Sequence, residues 1–302
     1  MRLAVLGFAV LVGIASIAVS AVCAAAVTAP ETAASLSLAV AALLGALQGA
    51  TEFLPVSSSG HLALAQAWLH VDPDVAGHRF NIVLHAGTLL AVLWLYRQDV
   101  RGLAGVVLRP TADTPERRML LAMFVATLPL GLALGLEPIV VTLEQSPRYV
   151  GAALLLTAAI VALSFRRSGP VPETPNKTPP ALPRALAIGL AQLIAIVPGI
   201  SRSGSTIAAG LALKLDREQA ARFSFLISIP AIGGATTLEV LKVIRDPSDG
   251  AIPWLAYGVG FLTSFGVGLL CLRWLLALVR GGKITGFVVY LLILGTAAIV
   301  FG

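Results

Sequence analysis

Glu52, His61 and Arg202, with hydroxyls at Ser57, Ser58, Ser59, Ser201 and Ser203, fall in two polar, glycine-bearing segments that interrupt otherwise apolar stretches. The first segment runs from Gly45 through Gln48 and Glu52 to Pro55 and His61. The second runs from Gly189 through Gln192 to Pro198, Gly199 and Thr206. A shift of 144 residues lays one on the other without a gap: Gly45 on Gly189, Gln48 on Gln192, Ser57 on Ser201, Ser59 on Ser203 and Gly60 on Gly204. Gln48 and Glu52 share a helical face. Pro55 ends that helix, and the following serines can cap a new one, whose first N–H groups bind anions. Ser58 and His61, three apart, lie within reach of each other on that helix. Arg202 adds a fork that matches phosphate oxygens. A carboxylate beside a phosphate is repulsive unless a divalent cation lies between them. Glu52, the Gln48 carbonyl, water and phosphate form a hard oxygen set suited to Mg2+ or Ca2+, not zinc.

Such segments need unusual surroundings. The chain has 302 residues, of which 57% are hydrophobic and 12% charged, about half the charge of a soluble domain. It reads as an all-α polytopic membrane protein. Irregular backbone at membrane depth survives only where it lines a protein-enclosed or watery cavity, and duplicated broken segments point to a midplane site between inverted repeats. The net charge of +6 sits in short loops, a positive-inside pattern and not a nucleic-acid surface. Cys23 and Cys271 lie in apolar segments and imply no disulfide framework.

Apolar runs near the ~20 residues that cross a bilayer are Phe80–Tyr96, Met119–Leu136, Tyr149–Phe165, Phe223–Leu241, Trp254–Leu276 and Ile284–Phe301. Basic residues in Arg97–Arg118, in the Pro-rich linker 166–184 and at Arg273, Arg280 and Lys283 place those loops in the cytoplasm. Ala185–Leu213 must then enter and leave from the cytoplasm, a re-entrant hairpin. Leu36–Leu69 is its counterpart from outside. Repeat one spans 35–165 and repeat two 184–302, each one hairpin plus three spans, so the copies are inverted and their tips can meet. Residues 31–302 form a single membrane domain. Residues 1–30 are a separate hydrophobic segment, in which Leu3–Val27 is an extra span or a signal peptide.

The strings Gln48–His61 (QGATEFLPVSSSGH), Phe80–Leu90 (FNIVLHAGTLL), Pro198–Ile207 (PGISRSGSTI) and Ala221–Ile232 (ARFSFLISIPAI) closely resemble the bacterial undecaprenyl-diphosphatase family, also called bacitracin-resistance proteins. The resemblance runs from about Ser35 to the C-terminus. It implies removal of the terminal phosphate of undecaprenyl diphosphate, which recycles the lipid carrier for peptidoglycan synthesis and confers bacitracin resistance. It places the family's acidic motif on Gln48 and Glu52, its serine–histidine motif on Ser57, Ser58, Ser59 and His61, and its arginine motif on Ser201, Arg202 and Ser203. Gln48 is the amide form of a position that is elsewhere also Glu, so a metal here has one formal negative ligand, with Gln48 secondary.

The expected scheme has Glu52, with Gln48, holding the cation, while Arg202, Ser57, Ser59, Ser201, Ser203 and Thr51 hold phosphate oxygens. Ser58 attacks and His61 takes its proton; attack by His61, or by water that it activates, stays open. Hydrolysis is expected on the periplasmic or exoplasmic face of the plasma membrane. Plainer readings exist for each residue. Glu52 could be an interfacial carboxylate, although burying its charge costs ~2.5 kcal/mol or more. Arg202 could snorkel, and the serines could only cap. His85 reads as a helix-packing contact, Ser224 and Ser228 as interhelical hydrogen bonds, Gln192 as a relic of duplication and Ser205 as a further phosphate donor. His70 and His78 read as solvated, and Tyr149 and Trp254 as interfacial anchors. Inverted repeats also suit a transporter that flips a lipid carrier. A homo-oligomer is left open.

Overall fold

The computed structural model describes residues 36–69, 71, 78–108, 113–166, 178–245, 253–280 and 285–302. The N-terminal segment 1–30, His70 and most of the Pro-rich linker lie outside the described residues. Among the described residues the chain is helical without strands: α1 Leu38–Thr51, α2 Ser58–Trp68, α3 His78–Leu95, α4 Arg97–Leu108, α5 Pro115–Thr127, a 3-10 segment Leu128–Gly135, α6 Glu137–Glu144, α7 Pro147–Arg166, α8 Leu182–Ile194, α9 Arg202–Ala212, α10 Arg217–Arg245, α11 Trp254–Arg280 and α12 Thr285–Phe301. Four helical stretches are long and apolar enough to cross a membrane: Pro115–Gly135, Pro147–Ser164, Arg217–Lys242 and Trp254–Val279. The bent pair α3–α4 makes a fifth if taken as one span. Side chains such as Phe124, Leu132, Leu270 and Ile293 are more than 60% exposed. That apolar surface suits lipid and would be a liability in water.

Several elements differ from the sequence reading. Ile284–Phe301 was expected as a span, and helix α12 there has only 17 residues. The basic stretch after Arg97 is not a loop. It is amphipathic helix α4, turned 84° from α3 and tied to α10 by an Asp99–Arg222 ion pair. The span Met119–Leu136 is α-helical only to Thr127. Pro129 removes the N–H that would continue the ladder, and a 3-10 segment follows. His78, read from the sequence as solvated, is the first residue of α3.

Two short helix pairs carry the motifs. α1 and α2 pack on each other across the turn Glu52–Ser57, and α8 and α9 do so across 195–201. Each leading helix also lies against a helix from the other half of the chain, α1 on α11 and α8 on α5. Small residues allow the approach. Gly45 and Gly49 face Gly260, Ser264 and Gly268, and Gly189 faces the Ala126 backbone. A Cβ on Gly49 would come within 2.7 Å of both Gly268 N and Ser264 O, which are backbone atoms unable to yield. Gly49→Val is therefore expected to destabilise the fold by about 1–3 kcal/mol or more, read as a lower midpoint of thermal unfolding in detergent. An unchanged midpoint would contradict this packing.

Candidate active site

The two turns meet. α1 ends with Thr51, and Glu52 caps it with its N–H on Gln48 O. The chain then turns through Pro55 to Ser57, whose φ of 69° is left-handed, a conformation that costs a residue with a Cβ and clusters at functional sites. Ser57 Oγ accepts from Gly60 N at 3.4 Å to start α2. In the second turn the left-handed position falls on Gly199, with φ +97°. Ser201 Oγ accepts from Gly204 N at 3.1 Å and starts α9. The second turn is clasped to the first: Ser203 Oγ donates to Leu54 O at 2.9 Å and Ser201 Oγ does so at 3.5 Å. Ser201 N is held by Thr157 Oγ1 at 3.0 Å, and that hydroxyl donates to Gly199 O at 2.8 Å.

Glu52 is the hub. Its carboxylate is buried, with Arg202 Nη2 paired to Oε1. Oε2 accepts from Ser58 Oγ at 2.5 Å and from Gln48 Nε2 at 2.9 Å, and His85 Nε2 lies 3.6 Å from it. Of the four buried side-chain atoms without a partner among the described residues, two belong to this cluster: Arg202 Nη1, a cationic donor, and Gln48 Oε1, an acceptor. Unsatisfied buried polar groups are costly, so water or a ligand is the natural partner of each. The first suits an anion. The second, next to Glu52, suits a hard cation, so the residues present fit Mg2+ or Ca2+ held by Glu52 and Gln48. Among the described residues no three His, Cys, Asp or Glu side chains converge, so phosphate and water would complete the shell.

His61 and Thr51 depart from the expected scheme. His61 Nδ1 meets Ser57 O at 2.7 Å, which requires its N–H to donate, and Nε2 meets Tyr290 Oη at 2.7 Å. Both ring nitrogens are occupied, and the ring stacks on Tyr290 at 18° between planes. Ser58 Oγ therefore faces Glu52 and not His61, which instead braces the left-handed Ser57. Thr51 Oγ1 gives its only proton to Leu47 O at 2.6 Å in its own helix, so it does not offer that proton to a phosphate. Ser201 and Ser203 aim at Leu54 O, while Ser57 and Ser59 lie 3.3 Å apart, oxygen to oxygen. Ser224 bonds Thr206 across helices at 2.6 Å, whereas Ser228 donates to Phe225 O in its own helix. Beside these residues stand His85, which the sequence reading took for a packing contact, and Tyr290, which it did not single out. A polar group inside a span was the available signal for each. A cleft of about 390 Å3 lined by Asp99, Glu116 and Arg222, among others, contains no residue of the two turns.

With this geometry in hand, comparison with known proteins is specific. The family model described as bacitracin resistance protein BacA matches residues 41–297. A Rubrobacter xylanophilus protein named undecaprenyl-diphosphatase is 41% identical over 268 residues, covering 84% of this chain and 94% of its own. Its namesake from Korarchaeum cryptofilum is 40% identical, covering 87% and 98%. Undecaprenyl-diphosphatase 1 of Bacillus licheniformis is 35% identical, covering 86% and 96%. Each pairing covers more than four fifths of this chain and more than nine tenths of the relative, and the family match contains both turns, so this multi-pass helical chain belongs to the bacitracin resistance protein BacA family.

Proposed function

We propose that this protein hydrolyses undecaprenyl diphosphate to undecaprenyl phosphate and inorganic phosphate, returning a lipid carrier to cell-wall synthesis and conferring bacitracin resistance. The names of its relatives support this substrate. The observation that carries it is the Arg202 fork, with one nitrogen docked on Glu52 and the other buried and unpartnered. A terminal phosphate oxygen satisfies that second nitrogen and is thereby held beside Ser58, next to the positive end of α2.

Ser58 Oγ attacks the terminal phosphorus in line, forming an O–P bond as the bond to the bridging oxygen breaks, and its proton passes to Glu52 Oε2. Undecaprenyl phosphate leaves as an anion. Water then attacks the phosphoserine, Glu52 returns its proton to Ser58 Oγ, and phosphate departs with both protons of the water. Gln48 and Glu52 would hold a divalent cation that neutralises charge on the diphosphate. Arg202 supplies charge stabilisation from a buried, preorganised position. Ser58→Ala is expected to lower phosphate release from undecaprenyl diphosphate ~10^3-fold or more, as loss of a nucleophile does. A rate within tenfold of the unaltered protein would exclude Ser58 as nucleophile.

The architecture proposed with this chemistry is a pair of inverted repeats with two re-entrant hairpins, the first opening to the periplasmic or exoplasmic side. Support comes from helix bounds that coincide under the same 144-residue shift, Leu38 with Leu182 and Ser58–Trp68 with Arg202–Ala212. The reciprocal packing of α1 on α11 and α8 on α5 adds to it. That repeat also favours a second reading, a lipid-carrier flippase using the same clamp. Phosphate release from the purified protein separates the two.

A further inference from the structure

The relation of His85 to Glu52 carries one step more. His85 lies on α3, and its Nδ1 meets the backbone carbonyl of Asn81 at 2.7 Å. A carbonyl only accepts, so the ring N–H is on Nδ1. In the neutral ring the lone pair is then on Nε2, which lies 3.6 Å from Glu52 Oε2. That separation is too long for a hydrogen bond. Two ligands about 2.1 Å from one cation, subtending about 90–120°, stand roughly 3.0–3.6 Å apart. A carbonyl holding the far nitrogen is also the usual companion of a metal-binding histidine. The unpartnered Gln48 Oε1 is fully buried, on an amide whose nitrogen already touches the same Glu52 oxygen.

We propose that His85 is a nitrogen ligand of the divalent cation at Glu52, forming with Gln48 a mixed nitrogen–oxygen site that prefers Mn2+ to Ca2+. This rests on the cation reading above and goes beyond it. Oxygen-only sites suit Ca2+, and an imidazole shifts the choice toward transition metals. The partial shell leaves positions for diphosphate oxygens and water.

The test uses purified full-length protein with Mn2+ and methylene diphosphonate, read by electron spin-echo modulation. The expected result is coupling from one directly bound imidazole nitrogen, changed by 15N-histidine labelling and absent in His85→Gln. That variant should also bind Mn2+ about tenfold more weakly and lose the preference over Ca2+. The labelling arm needs no variant, so misfolding cannot mask the answer. Mn2+ bound at Glu52, lost in Glu52→Gln, but without nitrogen coupling would overturn the role of His85 and leave the cation reading standing. Coupling that persists in His85→Gln would also overturn it. Absence of Mn2+ binding to the unaltered protein would overturn the cation reading itself.

Discussion

Arg202→Ala is expected to cut phosphate release from undecaprenyl diphosphate by about 10^3-fold, near the upper range for losing one preorganised donor to a developing charge. The loss is large because one side chain does two jobs. Its Nη2 neutralises Glu52, and its Nη1 is the buried donor left for substrate. Removing it strands a buried carboxylate, which costs about 3–5 kcal/mol where a buried pair is broken from one side. A folding measurement must therefore accompany the rate. Arg202→Lys separates the two jobs: it keeps the charge but not the planar fork. It is expected to fold and to remain about 10^2-fold slow. Full turnover in the lysine variant would show that geometry at Arg202 is irrelevant.

Glu52→Gln is expected to be as damaging to turnover, about 10^3-fold or more, for a different reason. The shape is kept, but the proton acceptor facing Ser58 and the only formal negative ligand of the cation are both removed. Substrate binding should move the other way. Without added cation, the variant should hold methylene diphosphonate as well as the unaltered protein or better, because Arg202 loses its competing partner. Arg202→Ala should hold it less well. Metal-dependent turnover within tenfold of normal in Glu52→Gln would remove Glu52 from the chemistry.

The local geometry of both turns was legible because it depends on local rules. Proline stopped α1, serine caps started α2 and α9, and the repeat aligned two stretches whose helix bounds coincide in the structure. Glu52 and Arg202 were expected in one chamber because inversion brings hairpin tips together, and they form an ion pair. What spacing could not reveal was the choice among competing partners. Ser58 and His61 are neighbours on one helix, yet Ser58 turns back to Glu52. His61 is claimed instead by the Ser57 carbonyl and by Tyr290, 229 residues away. His85 looked like a packing contact because only the tertiary fold shows that α3 presents it to Glu52. Thr51 was offered to phosphate, but a threonine within a helix can bond its own preceding turn, and this one does. The helix α4 was missed because its charges were read for topology and not for the amphipathic face between them.

The meeting of the two turns can be tested without any substrate. A Cβ on Gly204 would lie 3.3 Å from Pro55 Cβ, close to the spacing that a disulfide spans. With Cys23 and Cys271 replaced by alanine, the pair Pro55→Cys and Gly204→Cys should oxidise to an intrachain disulfide. After cleavage at a protease site engineered into the 167–177 linker, the two halves should stay joined on a denaturing gel until reductant is added. Halves that part without reductant after full oxidant treatment would contradict a shared chamber, and with it the chemistry assigned to Glu52 and Arg202.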